Sequence, residues 1–367
     1  MSAPLRWLAV DSTGAIFAEL TSLVPDGPLV RTMGTYQAQS FTLTVTAKTD
    51  PQWLYCTLPG AGALIAYSGE AGSERVEWGG IITQRVRGLG NQVKLAAATP
   101  EWYLDGRFTG TYSVTGRDQN LIVSDLVARS AAGDSDVPSS TGWPFTTTTV
   151  GSAGTTRDRS YADTDDKKIF AALDELAHVQ GGPQWMTGWV WSHGPERINP
   201  VVYVGTRIGN AAPAGLGPAV VLTPPMMTDG ALTENYAAGS GANLVTAVSS
   251  GQGGARPQSS QGVLQPQRPL IEYRFTPSTS ITITDTLTKH AAEQLAIMAN
   301  GAQTLAVTLN RSAAPQLGSD WDLGDDVGIE MSGPLFPQPV STVGQLIGYS
   351  VTADTVTPYL ATSGGFQ

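Results

Sequence analysis

Short apolar runs interrupted by glycine-rich turns are the feature that most constrains the fold of this chain. Phe41, Leu43 and Val45 alternate with threonines, which is the period-two pattern of a half-buried strand. Further runs of this kind lie at 64–67, 78–86 and 93–97. Their close spacing predicts an antiparallel barrel or sandwich in the N-terminal part of the chain.

The middle of the chain mixes helices with strands. Asp118 can cap a first helix, and Thr164 can cap a second one whose apolar stripe begins at Ile169. The runs 185–191 and 201–204 then predict a pair of strands. This block is therefore predicted to be a small α+β domain.

Strand patterns resume near residue 232 and continue to the C-terminus. One helix interrupts them, with Asp285 or Thr286 as its cap and Asn300-Gly301 as a left-handed stop. The segment 251–269 is poor in apolar residues and is predicted to be a mobile loop. The fold class is thus mainly β with a smaller α+β part, divided into β-rich 1–105, α+β 106–231 and β-rich 232–367 with one connecting helix.

The charge balance argues against a tight nucleic-acid binder. Acidic residues outnumber basic ones by 31 to 21, and the formal net charge is -10, whereas gripping phosphates requires clustered lysine and arginine. The single cysteine, Cys56, forms no intrachain disulfide. The N-terminus has no signal-peptide pattern and no apolar run reaches the ~20 residues of a membrane span. A soluble protein made in a cytoplasm, without stable membrane insertion, is expected.

No catalytic, cofactor-binding or metal-binding residue is predicted. His178, His193 and His290 are scattered and fit structural roles better than a zinc site. Asp163-Thr164-Asp165-Asp166 begins like a calcium loop, but Lys167 and Lys168 follow where a ligand and a glycine belong. The nucleophile-elbow and phosphate-loop motifs are absent from the sequence.

Three tryptophans have two interpretations. Trp185, Trp189 and Trp191 fall on one face of a predicted strand, and exposed aromatic faces can stack on sugar rings. Burial against the helix that begins at Ile169 is the favoured interpretation, because large aromatic side chains carry much of the core of a small domain. Asp325-Asp326 resembles a carboxylate pair, but its context is typical of a turn that enters a strand.

Several short motifs, in order, resemble a known family. In the C-terminal third they are Thr288…Ala292…Leu295-Ala296, Trp321-x-Leu-Gly-Asp-x-Val and Gly348-Tyr-Ser-Val. In the N-terminal third they are Trp78-Gly79-Gly80-Ile81, Val93-Lys-Leu and Tyr103-Leu104-Asp-Gly-Arg107. Between them lie Asp165-Asp166-Lys-Lys-Ile and Gly181-Gly-Pro-Gln-Trp185. From about Val30 onward the chain resembles siphophage tail-hub proteins, in particular the minor tail proteins of the ReqiPepy6 Gp37-like family. The acidic residue usual in that family before the tryptophan is Gln184 here.

The resemblance implies a baseplate-hub-like architecture with two related tail-tube-like β-barrel domains and an intervening α+β domain. It implies a homotrimeric ring at the tail tip of the virion, synthesised in the bacterial host cytoplasm. Its partners would be the distal tail or tail-tube proteins, other tail-tip proteins and the tape-measure protein. DNA would pass through the lumen without specific binding during genome ejection. An acidic lumen would suit that passage, because like charges repel.

Two other functions are weighed beside this structural one. The first is a tail-tip carbohydrate-binding module for host recognition that uses the Trp185–Trp191 face. The second is a tail-associated cell-wall hydrolase, which is disfavoured because the sequence has no active-site constellation. No enzymatic activity is predicted.

Overall fold

A computed structural model describes residues 5–69, 72, 74–132, 142–194, 196–213, 215–251, 256–277, 281 and 283–362. The protein is mainly β with a smaller helical part, as the sequence predicts. In the described ranges no helix is long and apolar enough to cross a membrane.

The strands and helices follow one another in chain order. The strands are β1 (Arg6–Asp11), β2 (Ile16–Glu19), β3 (Leu23–Pro25), β4 (Leu29–Thr32), β5 (Ala38–Thr44), β6 (Gly62–Ser68), β7 (Arg75–Arg87), β8 (Gln92–Ala98), β9 (Tyr112–Asp118), β10 (Thr146–Thr149), β11 (Thr156–Tyr161), β12 (Gln184–His193), β13 (Glu196–Gly205), β14 (Val220–Leu222), β15 (Met227–Asn235), β16 (Leu244–Val248), β17 (Gln258–Gly262), β18 (Glu272–Phe275), β19 (Ala302–Asn310), β20 (Asp326–Gly333), β21 (Phe336–Val351) and β22 (Thr355–Thr362). The helices are α1 (Trp53–Cys56), α2 (Glu101–Asp105), α3 (Gln119–Ala131), α4 (Ile169–Ala177) and α5 (Thr284–Met298).

The chain forms two compact units. The first comprises Met1–Met226, Leu309–Gly328 and Val343–Ala361, and the second comprises Met227–Thr308, Ile329–Thr342 and Thr362–Gln367. The division into domains at 1–105, 106–231 and 232–367 stays a prediction.

The first seven-stranded sheet has the order β2-β1-β6-β7-β8-β5-β3, with antiparallel pairing between neighbours. Phe41 and Leu43 on β5 are buried while Thr42 and Thr44 between and after them are partly exposed, so the predicted alternation is confirmed for this strand. The strand ends at Thr44, before Val45. On one face of the sheet the rings of Trp7, Phe41 and Trp78 meet in edge-on and tilted contacts, with centroids 5.2–6.4 Å apart.

The middle segment packs two helices against two smaller sheets. One sheet pairs β9 with β11, and the other has the order β10-β13-β12. The predicted cap of α3 is confirmed, because the Asp118 carboxylate accepts a hydrogen bond from the backbone N–H of Asn120. Thr164 does not cap α4: residues 163–165 form a separate 3-10 turn, and Asp166 then adopts a left-handed conformation (φ 47°). That conformation interrupts the helical path, so α4 begins only at Ile169.

Strand β4 belongs to a different sheet from β3 and β5, its neighbours in sequence. It pairs antiparallel with the end of β21, from Leu29 opposite Val351 to Thr32 opposite Gly348. The second seven-stranded sheet consists of β14-β20-β21-β22-β19-β15 in that order, with β4 paired to β21. The strands predicted from Val327–Ile329 and Ile347–Val351 are present as parts of β20 and β21.

The second unit contains a three-stranded sheet, β17-β16-β18, covered by α5. Two small apolar clusters join the helix to β16; they contain Ala242, Val245 and Met298, and Ala247, Leu287 and Ala291. The helix begins at Thr284, so Asp285 lies in its first turn rather than at its cap, and Gly301 ends it with φ 80° as predicted. Residues 252–255 of the predicted loop lie outside the described part, while Gln258–Gly262 forms an edge strand, where the loop prediction is wrong.

Two glycines in the motif Trp78-Gly79-Gly80-Ile81 are required by close packing. A Cβ on Gly79 would collide with the indole of Trp189 and approach Ile65 Cδ1 at 2.9 Å, and one on Gly80 would approach Trp78 Cη2 at 2.5 Å and the Ala98 carbonyl oxygen at 3.0 Å. Glycine at position 79 therefore lets β7 pack closely against Trp189 of β12. Glycine at position 80 leaves room for the side chain of Trp78.

Gly79→Ala should lower the free energy of unfolding by about 1–3 kcal/mol, because the new methyl group overpacks a site between buried side chains. Gly88→Ala, in the turn between β7 and β8, is the matched control, because a Cβ there meets nothing within 4 Å. Urea denaturation of both variants measures the difference. Equal stabilities would contradict this account of the motif.

Candidate functional site

A cleft of about 480 Å³ in the first unit brings together side chains from segments far apart in sequence. Its walls come from β4, β7, β12, β13, the N-terminus of α2, the segment 317–322 and β21. The side chains that define its chemistry are Arg31, Glu77, Glu101, Trp189, Asp322 and Tyr349. We call this site the Arg31 cleft.

Arg31 is the central cation of the cleft. Its Nη1 donates to the Tyr349 hydroxyl at 3.1 Å, and its Nη2 donates to the Thr187 carbonyl oxygen at 3.2 Å. Burial alone would lower the pKa of Arg31, but the electrostatic effects of Tyr349, Asp322 and Glu101 raise it above its ordinary value. Burial has the opposite effect on Tyr349 and raises the pKa of its hydroxyl to about 12. The guanidinium is therefore a permanent charge inside the cleft.

Glu101 is a buried carboxyl group, only 2% exposed, at the start of α2. Its Oε1 accepts a hydrogen bond from the backbone N–H of Thr187 at 3.3 Å, whereas its Oε2 has no hydrogen-bond partner in the described structure. Burial raises the pKa of Glu101, and hydrogen bonds with Thr99 and Thr187 together with the charge of Arg31 offset only part of that rise. The protonated, neutral form of Glu101 is therefore favoured more than it is for a glutamate in water.

The three tryptophans on β12 belong mainly to the core. Trp185 is 3% exposed and its ring meets that of Phe170 on α4 edge-on, with centroids 5.8 Å apart. Trp189 is also buried and meets Trp143 edge-on, and Trp191 is half-buried against Tyr67. Burial in the core is thus confirmed for Trp185 and Trp189, and packing against α4, as predicted, is shown for Trp185. Trp189 and Trp191 nevertheless line the Arg31 cleft.

Glu77 on β7 is held by cations at the edge of the same cleft. Its Oε1 accepts from the Ser68 hydroxyl at 2.5 Å and from Arg75 Nη2 at 2.6 Å, and its Oε2 lies 3.9 Å from Arg311 Nη2. With a side-chain exposure of 4%, this carboxylate satisfies the rule that buried charges are paired and hydrogen-bonded. Its role is to join β6, β7 and the segment after β19.

A reciprocal pair of amides connects β12 with β21. Gln184 Nε2 donates to Gln345 Oε1 at 2.7 Å, and Gln345 Nε2 donates back to Gln184 Oε1 at 2.8 Å. Gln184 Oε1 also accepts from the backbone N–H of Ile208, and Gln345 Nε2 donates to the carbonyl oxygens of Ile208 and Gly324. The amide at position 184 therefore fits its partner as both donor and acceptor, which a carboxylate could not do.

Asp325 and Asp326 form part of a structural turn, as the sequence predicts. Asp325 accepts hydrogen bonds from the backbone N–H groups of Asn210 and Asp322, and Asp326 accepts from Arg207 Nη2 and the N–H of Ala212. Both carboxylates thereby fix the segment 207–212 against the start of β20.

The aspartates and histidines that the sequence offered as metal ligands make local contacts instead. Asp165 accepts from the backbone N–H of Ala162, and His178 is exposed and lies 3.3 Å from the Asp174 carboxylate. His290 is half-buried on α5, and the side chain of His193 lies outside the described part. Among the described residues, no group of three His, Cys, Asp or Glu side chains is arranged to hold a metal ion.

Of the groups that define the cleft, the sequence singled out Trp189 alone, because Arg31, Glu101, Asp322 and Tyr349 come from four separate segments. Their only local signals were a charged residue within the apolar run Leu29-Val30-Arg31 and a glutamate in the motif Glu101-Trp102-Tyr103-Leu104. The segment Glu101–Asp105 forms α2.

Comparison with known proteins identifies the class of fold. No protein-family model matches the sequence, and no curated protein matches it. Solved structures do match: a 43 kDa tail protein from prophage MuSo2 of Shewanella oneidensis is 11% identical with a TM-score of 0.54, over 97% of this chain and 98% of that one. A tail protein from Neisseria meningitidis is 14% identical with a TM-score of 0.51, over 97% of both chains. A chain of the Francisella PdpA–VgrG complex is 8% identical with a TM-score of 0.54, over 98% of this chain and 57% of that one.

The protein thus has the fold of phage tail proteins, along nearly its whole length. The similarity confirms the coarse prediction of a tail-protein architecture. At these identities the similarity identifies the fold, and membership of the Gp37-like family stays a prediction.

Glu101→Gln should become progressively more stable relative to the wild type as the pH rises. Because the pKa of Glu101 is raised in the native state, the unfolded state loses its proton at a lower pH than the native state does. The stability of the wild type therefore declines as the pH rises through this interval, and it levels off above the folded-state pKa. Glutamine keeps the acceptor for Thr187 N–H and cannot ionise. Urea denaturation from acidic to mildly alkaline pH measures the difference, with Glu196→Gln on the exposed end of β13 as control. A difference that stays constant with pH would show that Glu101 is not the buried acid described here.

Gln184→Glu should destabilise the protein at neutral pH by about 1–3 kcal/mol, because a carboxylate oxygen would face Gln345 Oε1 where a donor stood. Protonation of the new carboxyl restores a donor, so stability should recover as the pH falls. Gln92→Glu, at an exposed position on β8, is the control. Equal losses in the two variants would argue against the reciprocal amide pair.

Proposed function

We propose that this protein is a structural subunit of the tail tip of a long-tailed phage, a hub that joins the tail tube to the tip. The observation that carries the proposal is the similarity to two phage tail proteins over 97–98% of both chains. A match of that extent leaves no sizeable part of the chain outside the shared architecture. The ordered motifs of the Gp37-like minor tail proteins support the same assignment at a finer level.

The sheet topology supports assembly into a ring. The first sheet ends in β2 and β3, and the second ends in β14 and β15. Unpaired edge strands favour pairing with another chain unless something covers them. Two seven-stranded sheets in each chain would give six related sheets in a trimer, which suits a ring that meets a sixfold tube. Cyclic contacts between copies would cover the edges and close the ring.

The charge balance fits a channel rather than a binding site for DNA. A net charge of -10 disfavours retention of a polyanion. We propose that DNA passes through the lumen of the ring without specific binding. The neighbours in the virion would be the distal tail or tail-tube proteins, the other tail-tip proteins and the tape-measure protein.

A mechanical role without enzymatic activity fits the way the acidic side chains are used. Glu77, Asp325 and Asp326 bind backbone groups and cations that hold separate segments together. The alternative of a carbohydrate-binding strand face loses its main support, since Trp185 and Trp189 are buried. The hydrolase alternative is supported by no nucleophile-elbow or zinc-protease motif in the sequence.

The purified protein should form a ring-shaped trimer of about 115 kDa, three times the chain mass of 38.4 kDa. Light scattering gives the mass and negative-stain electron microscopy gives the shape. Immunogold labelling of virions should place the protein at the distal end of the tail, with a capsid antibody as control. Label found elsewhere on the virion, or absent from it, would refute the proposal regardless of the mass in solution.

A further inference from the structure

The hairpin between β7 and β8 ends in an apolar tip that its own chain leaves open. Leu89 is fully exposed, and Val86 on the same hairpin is 51% exposed. Leu89 stands between Gly88 and Gly90, and a Cβ on either glycine would meet nothing within 4 Å. Neither glycine has a positive φ, so neither the turn nor the packing of this chain requires glycine there. The two glycines keep the tip narrow, which suits insertion into a partner.

The same hairpin carries positive charge and no negative charge. Positions 84 to 94 contain two arginines and one lysine but no aspartate or glutamate. Arg85 and Lys94 are bonded within the chain. Arg87 is exposed, and its side chain makes no hydrogen bond or ion pair with another residue that the structure describes. The tip therefore combines an open apolar side chain with an unpaired cation.

This combination separates Leu89 from the other exposed leucines. Leu216, Leu264 and Leu335 are 83%, 89% and 88% exposed. None of these three has a lysine or an arginine within three positions in the sequence, whereas Arg87 stands two positions before Leu89. The β7–β8 tip therefore fits an apolar recess that has a carboxylate at its rim.

An apolar cleft of about 690 Å³ lies elsewhere in the first unit. The buried side chains of Trp7, Leu29 and Val351 line it, and the exposed residues Ala353 and Asp354 stand at its rim. We call this site the Trp7 cleft. It offers the kind of surface into which an exposed leucine can be buried.

The exposed charge of the Trp7 cleft is negative. Arg311 also lines the cleft, but its side chain is only 9% exposed, donates to the Thr352 carbonyl oxygen at 3.1 Å and lies 3.9 Å from the Glu77 carboxylate. The carboxylate of Asp354 is exposed, and in the described part of the chain it has no hydrogen bond or ion pair. The cleft is thus the complement of the hairpin tip in both apolar character and charge.

We propose that the tip of the β7–β8 hairpin inserts into the Trp7 cleft of a second copy of this chain. Leu89 enters the apolar cleft, and Arg87 pairs with Asp354 of the partner subunit. A second copy is the occupant because this one chain carries both halves of the contact. Since Leu89 is fully exposed, the tip does not fill the cleft of its own chain.

The tip and the cleft are different surfaces, so the contact is heterologous. Repetition of such a contact about an axis closes a ring. The contact rests on the proposed function, since it requires that copies of the chain stand side by side in the tail tip.

Cysteine cross-linking between two variants tests the contact directly. Leu89→Cys and Ala353→Cys proteins with different tags would be mixed and mildly oxidised; the native Cys56 is buried, so the introduced thiols are the exposed ones. We expect a reducible product of about 77 kDa, twice the chain mass of 38.4 kDa, that contains one copy of each variant. Leu216→Cys is the matched control for Leu89→Cys, because Leu216 is also an exposed leucine between two glycines, and it should give no such product. The absence of a mixed product, or a product formed as readily by Leu89→Cys alone, would overturn the proposal.

A charge swap tests the pairing without cysteine chemistry. Arg87→Glu and Asp354→Arg should each weaken association at least fivefold, because each brings like charges together at the contact. The double variant restores opposite charges and should recover most of the loss, as measured by sedimentation equilibrium at several protein concentrations. Neither side chain has a partner in the described part of its own chain, so thermal unfolding of the unassociated protein should be unchanged. A double variant that associates no better than the single ones would contradict the pairing.

Leu89→Ser removes the apolar side chain and should weaken association at least tenfold, whereas Leu216→Ser should leave it unchanged. A wild-type ring whose mass is unaffected by Leu89→Ser would overturn this contact and leave the tail-tip proposal standing. Virions without label at the distal end of the tail would refute the tail-tip proposal, and a cross-link between Leu89→Cys and Ala353→Cys would still establish the contact.

Discussion

The joint between β4 and β21 is the contact on which the rest of the first unit depends. Strand β4 (Leu29–Thr32) lies between two strands of the first sheet in sequence, but it pairs with the end of β21, more than 300 positions later in the chain. Trp78 of the first sheet donates its Nε1–H to the Val30 carbonyl oxygen, and Arg31 bonds Tyr349 of the second sheet. Within this unit, the four-residue strand β4 thereby ties the first seven-stranded sheet to the end of β21.

Small residues in the recognised motifs make that joint possible. A Cβ on Gly348 would approach Thr32 Cγ2 at 2.8 Å and the Arg31 carbonyl oxygen at 3.0 Å, so β4 can pair with β21 only beside a glycine. Gly79 admits the indole of Trp189 in the same way. Three glycines of the motifs that suggested a tail-hub resemblance, Gly79, Gly80 and Gly348, are thus positions where backbone or aromatic rings come close.

Local physics accounts for the elements that the sequence could predict. The alternation of apolar and polar residues correctly predicts that Phe41 and Leu43 are buried in β5. Asp118 is a predictable cap of α3 because its side chain bonds a backbone N–H only two residues away. Tertiary contacts account for the failures. The left-handed Asp166 delays α4, and the polar strand Gln258–Gly262 exists only because β16 pairs with it. No local pattern reports such partners.

The Arg31 cleft was beyond sequence reasoning for the same reason, since its donors meet only after β4 has crossed to β21. The walls of the cleft include both strands of the joint. Arg31, on β4, bonds the Tyr349 hydroxyl of β21 and the Thr187 carbonyl oxygen of β12. The cleft and the joint are therefore one feature, because the pairing that places β4 beside β21 also places Arg31 between β12 and β21.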